Sequence, residues 1–240
     1  MLDLLLVAFA LGLAGFAKGL VGLGLPPIAM GLLVLAMSPV QAAATMVVPA
    51  LLTNLLQAMR GAWLRLLVTR LWFVLLLTGA TTVVFAGALS SWADLAITIL
   101  GILLVAYGAY SLRTPALTLS RNAEHWLGPL SGTATGLITA FTGVSSMPSV
   151  PFLQSIGLSR DAFIQAMGLS FTVSAVALIA ALGLSGSFEG IRGLDIGIAT
   201  LSAFIGMAAG ARLRQGMDEA LFRRIFLWGL IALGLYLLVR

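Results

Sequence analysis

The stretch GFAKGLVGLGLPP, Gly15 to Pro27, decides how this chain folds. It places a lysine, four glycines and two adjacent prolines inside the first hydrophobic segment. A membrane helix must complete its backbone hydrogen bonds internally, and this stretch is poorly suited to doing so. The rest of the chain supplies the reason for calling the segment a membrane one. Sixty per cent of the residues are apolar, 9% are charged and the mean hydropathy is +1.11. A soluble surface needs more charge than that. No formal charge occurs from Gly19 to Met59, from Leu71 to Ala93, from Trp126 to Ser159 or from Ala162 to Phe188. The chain reads as an all-α, polytopic membrane protein immersed in the lipid bilayer.

The net charge of +5 comes from arginines placed singly or in pairs between apolar segments, where loop anchors sit, and this disfavours nucleic acid as a partner. With no cysteine and a single histidine, His125, neither a thiolate centre nor a histidine metal cage is available, and no cofactor is expected. The N-terminal segment carries Asp3 and no basic region. It reads as a retained membrane segment and not as a cleaved signal.

Hydrophobic segments fall at 4–37, 39–58, 71–90, 95–112, 126–156, 162–184, 195–211 and 224–239. The first and fifth exceed the roughly 20 residues of one span, and both are interrupted, by GLVGLGLPP and by TGVSSMPSVP. A shift of 121 positions matches Gly15 with Gly136, Gly22 with Gly143, Pro27 with Pro148, Leu32 with Leu153, Ser38 with Ser159 and Met46 with Met167. A shift of 126 matches Leu104, Ala106, Gly108 and Tyr110 with Leu230, Ala232, Gly234 and Tyr236. The expectation is a duplication: a first repeat over 1–112, a polar connecting loop over 113–125 and a second repeat over 126–240, each with one broken or re-entrant segment and three transmembrane helices.

Arginine placement predicts how the repeats sit. If each broken segment crosses once, seven arginines face five. If each returns to its own side, Arg60, Arg65, Arg70, Arg113, Arg121, Arg160, Arg212, Arg214, Arg223 and Arg224 share one side, and only Arg192 and Arg240 lie opposite. Positive charge prefers the cytoplasmic side, so the second arrangement is expected. Each half then crosses an odd number of times, which makes the halves inverted repeats in the cytoplasmic (inner) membrane with both termini outside the cytoplasm.

Inverted repeats with interrupted helices are a transporter plan in which half-helix ends meet at a polar site. Glycines let backbone approach a ligand, and Pro26 and Pro27 suit the start of a new helix whose positive dipole end faces the break. Two such helix starts form an anion site. The candidate substrate-binding residues are Lys18, Gly19, Gly22 and Gly24 in the first break, and Thr142, Gly143, Ser145 and Ser146 in the second. Asn54, Gln57, Gln165 and Ser170 on the following spans complete the set. The alternatives are close helix packing for the pairs Gly15/Gly19 and Gly132/Gly136, and snorkelling for Lys18. Every carboxylate lies at a segment end or in a loop, which favours an anionic substrate over a carboxylate-held cation.

In these residues the sequence resembles the sulfite exporter TauE/SafE family, also called the toluene sulfonate uptake permease family. Its first-half pattern G-x-x-K-G-x-x-G-x-G followed by prolines fits Gly15, Lys18, Gly19, Gly22 and Gly24. The second half reads GLITAFTGVSSMPSVPFLQSIGLSRD, with Ala140 where a glycine is frequent and Ser145, Ser146 and Met147 replacing a more glycine- and proline-rich break. The resemblance implies a transporter of small sulfur-containing anions such as sulfite, sulfoacetate or other organosulfonates, often an exporter. Without a nucleotide-binding loop, energy comes from the substrate gradient or from a coupling proton or ion. Monomer and homodimer both stay open. The competing expectations are an anion channel and an intramembrane hydrolase with Ser145 as nucleophile and His125 as base.

Overall fold

The computed structural model describes residues 2–22, 25–113, 118–189, 191–213 and 219–239. Eleven helices and no strand occur among them: α1 (Leu2–Val21), α2 (Leu25–Leu33), α3 (Pro39–Met59), α4 (Leu64–Val84), α5 (Ala88–Ser91), α6 (Ala93–Arg113), α7 (Arg121–Thr142), α8 (Ser149–Ser155), α9 (Arg160–Leu184), α10 (Gly193–Leu213) and α11 (Glu219–Val239). Six of these, α1, α3, α4, α6, α9 and α10, are long and apolar enough to cross a membrane. The chain is a multi-pass helical membrane protein.

Local chemistry sets the helix ends. Ser38 closes a capping box with Gln41 at the start of α3, and Ser159 accepts from Ala162 N–H (3.3 Å) at the start of α9. Ser120 caps α7 through Ala123 N–H at 3.2 Å. Helix α7 thus begins at Arg121, inside the stretch the sequence reads as a loop up to His125. Helix α4 likewise starts at Leu64, ahead of the apolar run from Leu71. Hydropathy marks the lipid-facing length, whereas a helix continues through charged residues that reach the membrane surface or pair with one another.

Helix α1 packs along α10, α7 along α4, α3 along α9, and α6 along α11. The first two pairs depend on glycine. A Cβ at Gly15 would lie 2.1 Å from the Ala203 carbonyl oxygen, and one at Gly132 would lie 2.6 Å from that of Val74. Only hydrogen fits there, as in small-residue membrane packing.

Three sets of bonds define one face of the bundle. Gln165, near the start of α9, donates to Ala58 O (2.8 Å) and accepts from Trp63 N–H (3.0 Å), which ties it to the α3–α4 turn. Arg70 of α4 pairs in a bidentate manner with Glu124 of α7 (2.7 and 2.6 Å) and donates to Ile156 O at 2.8 Å. Leu119 N–H donates to Ser155 O at 2.7 Å, joining the entry of α7 to the end of α8. The second broken segment therefore enters and leaves at the same face. Helix α1 runs toward this face, since Lys18 near its end meets Asn54 near the end of α3. Helix α2 then turns back and delivers the chain to the opposite start of α3.

Candidate functional site

Both broken segments stop in the same way. Helix α1 ends on Gly22 at φ +79°, whose N–H reaches Lys18 O at 2.8 Å. Helix α7 ends on Gly143 at φ +70°, whose N–H reaches Thr139 O at 2.8 Å. A left-handed residue just past the last turn is the common helix stop, and glycine adopts it without a Cβ clash.

The helices that follow are weaker donors than the sequence suggests. Helix α2 starts at Leu25, so Pro26 and Pro27 occupy its first turn and carry no amide hydrogen. In α8 the N–H of Val150 is spent on Ser146 O (3.0 Å), and Pro151 has none. The dipole remains, but donors must come mainly from side chains.

A small cavity lies between the two breaks. Its polar lining is Asn54 on α3, Thr139 on α7, Ser145 in the break and Ser174 on α9. Pro26, Gly143, Val47 and Phe171 are among the residues that complete the wall. Its volume is about 10 Å³, the room of about one water molecule.

Lys18 sits one side chain behind that wall and is only 5% exposed. Its ammonium donates to Thr53 Oγ1 at 3.1 Å and to Asn54 Oδ1. Thr53 in turn donates to Pro49 O at 2.8 Å, so its hydroxyl is fixed with a lone pair toward the lysine. A lysine only donates, so the Asn54 amide must present its oxygen to Lys18, and its Nδ2 hydrogens are left for the cavity. Among the described residues no carboxylate pairs with Lys18. The helix offers partial compensation, because Lys18 lies in the last turn of α1 at the negative end of the dipole.

The remaining candidates divide by position. Gly143 and Ser145 join Asn54 around the cavity. Gln57 bridges the break and the neighbouring span, donating to Gly22 O (3.3 Å) and Ile164 O (2.9 Å). Thr142 turns back to Ile138 O (2.7 Å) and accepts from Val144 N–H, and Ser146 is buried beside Ser145. Gln165 is committed to the α3–α4 turn. Ser170 is buried, with its carbonyl accepting from Ser174. The face of Gly19 goes to α10, where a Cβ would lie 2.2 Å from Met207 O. Gly24 lies outside the described residues.

Thr139, Phe171 and Pro26 were not among the sequence candidates, although the 121-residue shift places Thr139 opposite Lys18. A larger cavity, about 480 Å³, opens at the rim beside Arg70, Arg121, Glu124 and His125. The segment from His125 to Thr142 is continuous helix, so roughly 25 Å of rise separates that histidine from the break that holds Ser145. The hydrolase pairing is not assembled.

A buried lysine and a mostly apolar cavity carrying a few polar groups between two interrupted helices, all within a multi-pass bundle, describe a membrane transport protein. The chain matches the sulfite exporter TauE/SafE family over residues 6–237 and belongs to it. The resemblance read from the two breaks is thereby borne out, and the class is a membrane transporter of small anions. Neither the comparison with curated proteins nor that with solved structures gave a match.

Proposed function

We propose that this protein is a secondary transporter that moves a small sulfur oxyanion, sulfite or an organosulfonate, by alternating access of two inverted repeats, 1–112 and 126–240. The observation that carries the reading is Lys18. A buried ammonium with no counter-charge among the described residues is costly unless an anion completes it, and two of its three hydrogens are already engaged. The third, the Asn54 amide and the hydroxyl of Ser145 supply donors of the kind an oxyanion needs, whereas the Thr139 hydroxyl spends its hydrogen on Thr135 O.

Several features support the inverted arrangement. Residues matched by the 121-residue shift do the same local work: Gly22 and Gly143 end helices, and Ser38 and Ser159 cap them. The packing partners also exchange under it, since α1 on α10 corresponds to α7 on α4, while α3 on α9 and α6 on α11 correspond to themselves. The arginines of the shared face then lie in the cytoplasm and the termini outside. A cavity the size of a water is too small for the substrate, so loading requires the surrounding helices to move, as a carrier demands and an open channel does not.

Purified protein in proteoliposomes should take up labelled sulfite or sulfoacetate with saturation and counterflow, and Lys18→Ala should remove that uptake. Linear, non-saturating flux would favour a channel. The absence of flux for every sulfur oxyanion tried would reject the substrate class.

A further inference from the structure

The second hairpin carries a row of hydroxyls, two of which, on Ser131 and Thr135, neither the cavity nor the packing uses. Ser131, Thr135, Thr139 and Thr142 recur every three or four residues and so share one face of α7, and all four are buried. The glycines at 128, 132 and 136 turn the adjacent face to α4, and Thr139 already lines the central cavity. Helix α8 returns beside α7 with Ser149 and Ser155 also buried. At 22 residues α7 is as long as the membrane-crossing helices, yet it is not among those apolar enough to cross.

A hydroxyl inside a helix ordinarily bonds a carbonyl one turn back. Thr139 does so on Thr135 O and Thr142 on Ile138 O, both at 2.7 Å. Ser131 and Thr135 do not. They are 7% and 1% exposed, and neither hydroxyl has a partner among the described residues. An unpaired hydroxyl at such a depth is costly unless something mobile completes it. At the positions that the 121-residue shift assigns to Ser131 and Thr135, the first hairpin has Ala10 and Ala14.

We propose that the interior of the α7–α8 hairpin is the path by which a small oxyanion passes between the arginine-bearing face and the central cavity, with Ser131 and Thr135 as successive hydrogen-bond donors along it. Hydroxyls replace part of the hydration shell without the fixed charge that would trap an anion midway, which suits passage. The inference rests on the transport reading above and extends it.

The test uses two readouts on the full chain. In proteoliposomes, Ser131→Ala combined with Thr135→Val should slow labelled sulfite flux by about tenfold, the loss expected for one hydroxyl contact in the rate-limiting passage. Binding at the centre, read by thermal shift with sulfite, should be unchanged. Wild-type flux together with a raised melting temperature would overturn the path, because the hydroxyls would then be only unsatisfied core groups.

The second readout needs no sulfite. The chain has no cysteine, so Ser131→Cys, Thr135→Cys and, as a control, Ala14→Cys each introduce one thiol. An anionic methanethiosulfonate added to vesicles should modify the first two and spare the third. Unreactive thiols at 131 and 135, or equal reaction at 14, would overturn the path even where sulfite flux is normal, leaving the transport reading intact. Modification at 131 and 135 without any sulfite flux would support an anion path and count against the sulfur oxyanion alone.

Discussion

Lys18 on α1 is held on the amide oxygen of Asn54 on α3, so a positive charge is stored one side chain away from the central cavity. The two residues are 36 positions apart, and their pairing fixes which end of the amide faces the cavity. Lys18→Ala should abolish transport. Asn54→Asp should reduce anion flux at least tenfold while leaving thermal stability undiminished, because the new carboxylate neutralises the ammonium in place of substrate. Charge-assisted bonds of about 1.5–3 kcal/mol correspond to losses of roughly 10- to 150-fold in affinity, measurable by flux and by thermal shift with sulfite.

The helix stops at Gly22 and Gly143 call for left-handed backbone, φ +79° and +70°. A β-branched residue is strained there by about 1–2 kcal/mol per site even with space for its side chain. Among the described residues nothing lies within 4 Å of a Cβ at Gly22, whereas one at Gly143 would touch the Ala43, Met30 and Met46 side chains at 3.4 Å. The double substitution by Val should remove sulfite uptake and leave a folded protein, as judged by size-exclusion behaviour and melting temperature.

Packing glycines should behave in the opposite sense. Gly15→Ala and Gly132→Ala drive a methyl into a neighbouring helix backbone and should lower melting temperature and yield, with affinity unchanged in whatever protein folds. Gly19→Ala separates the two roles. A fall in stability at constant sulfite affinity assigns it to the α1–α10 contact, and a fall in affinity at constant stability assigns it to the site.

The Arg70–Glu124 pair, with 28% and 15% of the side chains exposed, clamps α4 to α7 and, through Ile156 O, to the end of α8. Arg70→Gln leaves a half-buried carboxylate and a carbonyl without their donor and should cost about 1–3 kcal/mol. Adding Glu124→Gln should cost little more, since the shared interaction is already gone, and a double-mutant cycle by denaturation reads the coupling.

Reporters fused to the amino and carboxyl ends should both register outside the cytoplasm. A cytoplasmic reading at one end would break the inverted arrangement, because one half would then cross an even number of times, and a cytoplasmic reading at both would point the arginine-rich face the wrong way.

The sequence alone determined what depends on neighbours along the chain. Membrane immersion followed from charge-free windows and the two interruptions from glycine and proline, while Gly22 with Gly143 and Ser38 with Ser159 were legible as matched positions whose work as helix stops and caps the structure supplied. The TauE/SafE likeness was legible for the same reason, since its motifs are local. Tertiary structure decided which of these residues meet. Gly19 faces α10 and not the cavity, Gln165 is spent on a turn, Thr139 reaches the centre, and Lys18 finds Asn54 because α1 and α3 lie side by side at that level. Where α2 begins also mattered, because it set how many amide donors the prolines remove. Partners of this kind depend on how helices cross, and a crossing is fixed by surfaces contributed from distant parts of the chain.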